Sequence, residues 1–325
     1  MNLIADSLGW LFGWLMFLCF YILGHYGWAI ILFTLLTKLI LFPLSVSAQK
    51  NSIRLLALQP ETDAIRRRHA GDKEQINEEL YLLYKREKYN PLTGMAPLLV
   101  QLPIILGMIN VMTNPLRHVL HIANSVVEPL TKATETILGL DQLGYAGQLL
   151  IINAVKDPGN SAGFEALAGT DPEIISAMGK IEGIDMTFLG IDLAGVPSIT
   201  HPSLLLFVPV LAGASAFALC MVQNRLSPAA AQQGALGKWG MTIFLVAFSV
   251  YFTLVTPCGV GVYWTASNLM GLVIALVLNR FYNPEKLVKS YAPAAPEGDE
   301  GGKVEETDVR GNGGKGKETG VDSGV

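Results

Sequence analysis

Charge is what this sequence has least of. Only 15% of its 325 residues are Asp, Glu, Lys or Arg, against about a quarter in soluble domains, while 51% are hydrophobic before glycine is counted. That balance argues against a water-soluble globule. It argues equally against a disordered chain, which needs low hydrophobicity and high net charge. The net charge of −4 and a pI near 5.8 leave no overall basic footprint, so no sequence-specific nucleic-acid partner is expected. Cysteine is also scarce. Cys19, Cys220 and Cys258 form no CxxC pair and no His/Cys cluster, which supports neither a disulfide framework nor a zinc site. P-loop, GxSxG and HExxH sequences are all missing, so no enzyme, cofactor or metal is expected.

What is present in quantity is long apolar sequence. A bilayer span takes about 20 mostly apolar residues. Tyr26–Leu44, Met95–Met112, Ser203–Val222 and Trp239–Asn279 qualify, and the last is long enough for two. Thr256-Pro257-Cys258-Gly259 interrupts it, splitting it into Trp239–Val255 and Val260–Asn279. The first 23 residues hold Trp10, Trp14 and Tyr21 among apolar bulk, with Asp6 the single charge. They read either as a sixth span or as an interfacial helix anchored by those rings. A secretory signal peptide fits poorly, since the amino end lacks Lys or Arg and no A-x-A site follows.

Loop charges suggest an orientation. Residues 45–93 carry nine Lys/Arg, whereas 114–202 carry four against ten acids. The loop 223–238 adds Arg225 and Lys238, and the tail from 280 carries seven basic residues. The positive-inside rule then places 45–93, 223–238 and the tail in the cytoplasm, with 1–25 and 114–202 outside. Parity holds if the amino-terminal helix does not cross.

Residues 46–90 read as a helical hairpin. Ile53, Leu56, Pro60 and Ile65 mark its first helix, with Arg66, Arg67 and Arg68 in the last turn, where cations suit the dipole. Asp72 is placed to cap the second helix with Gln75 at the capping-box position, and Ile76, Leu80, Leu83 and Tyr84 share one face. The outer segment 114–202 is too long for an unstructured connection. Leu116–Leu138 and Pro172–Lys180 have helical character, separated by a glycine-rich patch around Gly159–Gly169. His118, His121 and His201 in this segment lack a ligand set and read as surface histidines. The tail from Pro293 reads as disordered.

Lys38 is the only charged side chain within the five spans. At helical rise it lies about 18 Å from Tyr26 and about 10 Å from Ser45. A lysine at mid-helix costs about 2.5–3.5 kcal/mol on insertion scales, tolerable where the ammonium meets water, a partner or a polar cavity. It either snorkels to the cytoplasmic headgroups or faces a wet groove. Polar company favours the groove: Thr34 on the lysine's own face, Gln101 in the second span, Ser249 and Thr253 in the fourth, and Trp264, Ser267 and Asn268 in the fifth. Ser267, Gly271 and Ala275 read as a helix-packing seam. No Asp, Glu or His occupies a span, so a proton relay lacks its members.

These residues carry a resemblance. Tyr26-Gly27-Trp28-Ala29-Ile30-Ile31-Leu32 through Lys38 to Phe42-Pro43-Leu44 resembles the first core span of the YidC/Oxa/Alb family of membrane protein insertases. Leu58-Gln59-Pro60-Glu61 and Leu83-Tyr84-Lys85 are similar to its hairpin. The run Asn90-Pro91-Leu92-Thr93-Gly94-Met95-Ala96-Pro97 through Gln101-Leu102-Pro103-Ile104 resembles the start of its second span, and Gly261–Leu269 its last. The resemblance covers roughly residues 24–113 and 187–284. It implies an all-α polytopic fold: an interfacial helix over 1–23, spans over 24–45, 94–113, 203–222, 239–256 and 259–280, a cytoplasmic hairpin over 46–93, an exoplasmic segment over 114–202, a cytoplasmic loop over 223–238 and a disordered tail over 281–325. The chain resembles the short bacterial form, with an enlarged outer loop.

By position, Lys38 stands where the family usually has arginine, which keeps the charge but loses the bidentate fork. Thr34 and Trp264 match positions facing the substrate helix, and Gln101 and Asn268 match polar groove positions. The resemblance thus implies an insertase and chaperone of the bacterial cell membrane, amino terminus outside and carboxyl terminus in the cytoplasm. It guides nascent membrane proteins through the groove, alone or beside the Sec translocon. Arg66, Arg67, Arg68, Lys85 and Arg86 are the candidate docking residues for the ribosome and targeting factors. The competing reading is a small channel or transporter with Lys38 in its pore. A third is a structural subunit in which Lys38 is dispensable.

Overall fold

A computed structural model describes residues 2–226, 235–283 and 287–288. The disorder expected of the tail from Pro293 and residues 227–234 of the loop 223–238 lie outside the described residues. The apolar runs are helical throughout, as hydrocarbon requires of a chain that must satisfy its backbone internally. Helix α1 is Asn2–Leu23, and only Gly24 and His25 separate it from α2, Tyr26–Ala57. Gly24 takes the left-handed conformation at φ 64° that closes this turn.

α2 does not stop where the apolar run stops. It continues to Ala57 with Pro43 inside it, because nothing between Ser45 and Ala57 breaks a helix. The residues expected to open the hairpin therefore extend the first span instead. The hairpin proper is α3, Gln59–Arg68, and α4, Lys73–Arg86. Leu58, Ile65 and Leu83 form its small core, with Leu80, Tyr84 and Tyr89 packed around it. Asp72 caps α4, its carboxylate accepting from the backbone N–H of Glu74 and Gln75 at 3.0 and 3.1 Å. The backbone N–H of Asp72 goes to the His69 carbonyl at 2.9 Å, so Gln75 has no reciprocal donor to take and the capping box is half formed. Asp72→Ala is expected to destabilise α4 by about 1 kcal/mol. Hydrogen exchange should then quicken in Lys73–Tyr84 and stay unchanged in the spans.

α5 runs Pro91–Thr113, its side-chain amide cap supplied by Asn90 to Leu92 N–H at 2.9 Å. Beyond it lie α6, Pro115–His118, α7, Asn124–Leu138, α8, Gly147–Lys156, α9, Ser161–Ala168, and α10, Pro172–Gly183. A two-stranded hairpin follows, with Thr187 opposite Asp192 and Phe188 opposite Ile191. Segment 114–202 is thus folded, and its buried residues, among them Leu130, Leu149, Ile151, Ile152, Phe164 and Ile181, belong to one core with Met16, Tyr26 and Met108 of α1, α2 and α5. One expectation is corrected here. Leu116–Leu138 is not one helix: the chain turns at Val119–Ala123, with His121 left-handed at φ 50°, so that α7 can lie against α8. The glycine-rich patch folds into a short 3-10 turn and α9.

The carboxyl-terminal helices are α11, Phe207–Leu226, α12, Ala235–Leu254, and α13, Cys258–Phe281. The break between α12 and α13 falls where Pro257 precedes the new helix. Four helical stretches are long and apolar enough to cross a bilayer among the described residues: Tyr26–Ala57, Leu204–Leu226, Leu236–Leu254 and Cys258–Phe281. The apolar part of α5 described here, Leu99–Thr113, is shorter. The whole of α5 is 23 residues, about 34 Å at helical rise.

α1 packs on α2, α5 and α6. Its buried face is small: a Cβ on Gly9 would meet Asn110 at 3.2 Å, and one on Gly13 would meet His118 Nδ1 at 2.9 Å. His118 is buried there, its Nε2 2.8 Å from Asn110 Oδ1. This corrects its reading as a surface histidine, and the cause is the notch that two glycines at helical spacing leave in α1. Trp10, Leu11, Trp14, Leu18, Tyr21 and Ile22 on the other face are exposed. His121 stays exposed, against the rings of Trp14 and Phe17 at 4.8 and 4.6 Å, and His201 is exposed as expected. Among the described residues no His/Cys/Asp/Glu group could hold a metal.

Candidate functional site

Lys38 is carried mid-way along α2, which packs between α5 and α13. Its ammonium donates to Gln101 Oε1 of α5 at 3.4 Å, and Gln101 Nε2 donates to the Tyr263 hydroxyl of α13 at 3.4 Å. One polar chain therefore links three helices across otherwise apolar packing. Both contacts are long for hydrogen bonds. The ammonium has three donors and the amide four hydrogen-bonding positions, so each keeps capacity for a further partner. Lys38 and Gln101 are partly exposed, whereas Tyr263 is buried. Among the described residues no carboxylate lies within ion-pair distance of Lys38. The positive charge is locally uncompensated.

The other expected groove residues are placed differently. Thr34 is fully buried, and its hydroxyl donates to the Ile30 carbonyl of its own helix at 2.7 Å. Trp264 turns towards α12: its indole N–H donates to Ser249 Oγ at 3.1 Å, and its ring lies 4.9 Å from Phe252 and 5.9 Å from Phe248. Asn268 donates to Ser215 Oγ of α11 at 3.2 Å. The structure thus brings Lys38 and Gln101 together, sets Trp264 in an aromatic cluster one helix face away, and uses Asn268 to tie α13 to α11. Ser267 and Gly271 lie on the face towards α11, where Leu219 comes within 3.5 Å of a Cβ built on Gly271.

Two features escaped the sequence reading. Tyr263 completes the polar chain, and its hydroxyl carried no periodic or charge signal. Phe244, Phe248 and Phe252 stack along α12 at near-parallel angles of 22° and 11°. Their i, i+4, i+8 spacing was visible, but nothing local distinguished it from lipid-facing bulk. α5 and α12 each pack on α13, and among the described residues they make no substantial contact with one another. Lys38 and Gln101 meet α13 at Tyr263, and the phenylalanine ladder meets it at Trp264.

The docking candidates of the hairpin divide as well. Arg86 is held by Glu61 at 2.6 Å and Glu87 at 2.7 Å, and those carboxylates, Glu87 first, raise its pKa above the ordinary value. Arg68 lies 3.7 Å from Glu79. Arg66, Arg67 and Lys85 are exposed and form no ion pair among the described residues.

The family profile described as 60Kd inner membrane protein matches residues 18–286. Proteins named membrane protein insertase YidC are similar over part of the chain. That of Ralstonia nicotianae is 40% identical over 95 residues, covering 29% of this chain and 17% of the relative. That of Nitratidesulfovibrio vulgaris strain DP4 is 44% identical over 103 residues, covering 31% and 19%, and that of Thioalkalivibrio sulfidiphilus is 35% identical over 108 residues, covering 33% and 19%. The aligned stretches span less than a fifth of each of these relatives. The profile reaches from the end of α1 through all the long apolar helices, including the segments that carry Lys38, Gln101 and Tyr263. This polytopic α-helical membrane protein belongs to the 60Kd inner membrane protein family, the group its YidC/Oxa/Alb-like span motifs indicate.

Proposed function

We propose that the chain is a membrane protein insertase and chaperone that guides nascent transmembrane segments from the cytoplasm into the bilayer. The observation that carries this reading is the uncompensated Lys38 ammonium, linked through Gln101 to Tyr263 across α2, α5 and α13. An insertase must move a short polar segment across about 30 Å of hydrocarbon. A cation and amide partway across offer water and a positive potential to an acidic tail. The adjoining apolar segment then leaves past Trp264 and the phenylalanine ladder into lipid. Transfer of apolar surface, at about 25 cal/mol per Å², supplies the driving force without nucleotide. The process is facilitated transfer rather than catalysis of a covalent change.

The topology proposed with it has five spans. The amino terminus and the 114–202 unit lie outside, the α3–α4 hairpin and the carboxyl terminus lie in the cytoplasm, and α1 lies in the outer interface. Support for the last point comes from the partners of α1, which cluster at the Tyr26 end of α2 and the Asn110–His118 end of α5 and α6. Arg66, Arg67 and Lys85 are the hairpin cations we assign to docking of the ribosome or targeting factors, with the chain acting alone or beside the Sec translocon.

The test is site-specific photocrosslinking to a stalled nascent membrane protein. A photoreactive residue at Gln101 or Trp264 should capture the nascent chain, and one at fully buried Tyr26 should not. Equal capture from all three positions, or none from the first two, would remove the groove.

A further inference from the structure

A cavity lined by none of the Lys38 site's residues lies at the carboxyl end of the fold's first helix. It is about 470 Å³ and sits where the end of α1 meets the Val119–His121 turn and α10. That size falls within the range of about 300–1,000 Å³ typical of small-molecule sites. Phe17, Phe20, Val119 and Leu120 make the walls apolar, and Lys180 and His121 bring polar atoms to them. Lys180 is exposed and forms no ion pair among the described residues. The mouth is continuous with the exposed face of α1, where Tyr21 is 77% and Ile22 62% exposed. Such rings favour headgroup depth in a bilayer.

An amphiphile fits these surroundings better than a soluble metabolite does: an apolar trough opens onto an apolar surface, with a single cation at one side. We infer that this cavity binds an anionic phospholipid of the outer leaflet, with its phosphate on Lys180 beside the His121 ring and an acyl chain between Phe17 and Leu120. Geometry supports the use of His121. Its backbone is left-handed at φ 50°, a conformation uncommon outside glycine, and its ring is held against Trp14 and Phe17. Partial burial and the nearby Lys180 charge lower its pKa from the ordinary value, against a hydrogen bond from the ring to the Arg117 backbone that raises it. The proposal rests on the interfacial placement of α1.

The full chain in nanodiscs is labelled with diazirine-bearing phosphatidylglycerol or phosphatidylcholine, and the adducts are mapped by mass spectrometry. Phosphatidylglycerol should label Phe17–Tyr21 and Leu120 roughly fivefold more than phosphatidylcholine, the preference that one lysine gives at a membrane surface. Lys180→Gln should bring the two to parity. Equal labelling of the wild-type protein would overturn the site while leaving α1 at the interface. Labelling by neither lipid would overturn the interfacial placement as well. Displacement of the phosphatidylglycerol adducts by free glycerol phosphate would assign the cavity to a small soluble anion and overturn the lipid.

Discussion

Lys38→Ala is expected to slow insertion of clients with acidic translocated tails about tenfold, while clients with uncharged tails insert within about twofold of the wild-type rate. The size follows from Coulomb's law. An acidic side chain passing about 8 Å from the ammonium, at an effective dielectric constant near 20, gains about 2 kcal/mol. A barrier change of about 1.4 kcal/mol is already tenfold in rate. Lys38→Arg should preserve the preference, because the charge stays. Lys38→Gln should lose it although the side chain remains polar. The same substitution separates function from folding. Removing a mid-membrane lysine relieves an insertion cost of about 2.5–3.5 kcal/mol, and the contact it loses, Nζ to Gln101 Oε1, is long at 3.4 Å. The Tm of Lys38→Ala in detergent should therefore equal or exceed that of the wild-type protein. Reconstituted proteoliposomes and a pair of clients differing only in tail charge give the rates. Unchanged insertion of both clients would leave Lys38 without a role in transfer.

The spans were legible because hydrocarbon imposes a simple rule, and Lys38 stood out because that rule makes a lone cation conspicuous. The hairpin was legible through Pro60, Gly71 and Asp72, which mark helix ends by local chemistry. The continuation of α2 to Ala57 was less so, because the change from apolar to polar sequence at Ser45 marks where lipid ends rather than where the helix ends. The site itself was half legible. Residue type picked out Lys38, Gln101, Trp264 and Asn268, but helical spacing could not say which neighbour each would meet. Trp264 found Ser249 and Asn268 found Ser215, both on helices whose placement depends on tertiary packing. Thr34 shared the lysine's helix face in sequence, yet its hydroxyl turns back to its own backbone, a common outcome for threonine in a helix. The outer unit was least legible, since its long-range contacts rest on shape: two glycines of α1 against His118, and Gly27 against Phe188.

That last contact gives the largest stability effect expected of a single substitution. Phe188, on the first strand of the outer hairpin, is buried against the start of α2, where a Cβ on Gly27 would overlap its ring. Its ring also stands edge-on to Trp28 at 5.2 Å. Just beyond the hairpin, the carbonyls of Leu193 and Gly195 accept from Gly259 and Cys258 N–H at 2.9 Å each, supplying two of the partners that the first turn of α13 lacks. One short segment therefore wedges the helix carrying Lys38 and caps the helix carrying Tyr263. Phe188→Ala empties a packed site and is expected to cost about 3–5 kcal/mol. Tm should fall, and hydrogen exchange should quicken in the first turns of α2 and α13 together. Gly27→Leu should act in the same direction through a clash instead of a void. Because such damage loosens the scaffold and leaves the charge in place, insertion of acidic-tailed and uncharged-tailed clients should decline by the same factor. A selective loss of acidic-tailed clients would instead mean that the outer unit contributes to the electrostatics of transfer, and faster exchange confined to α2 would separate the wedge from the cap.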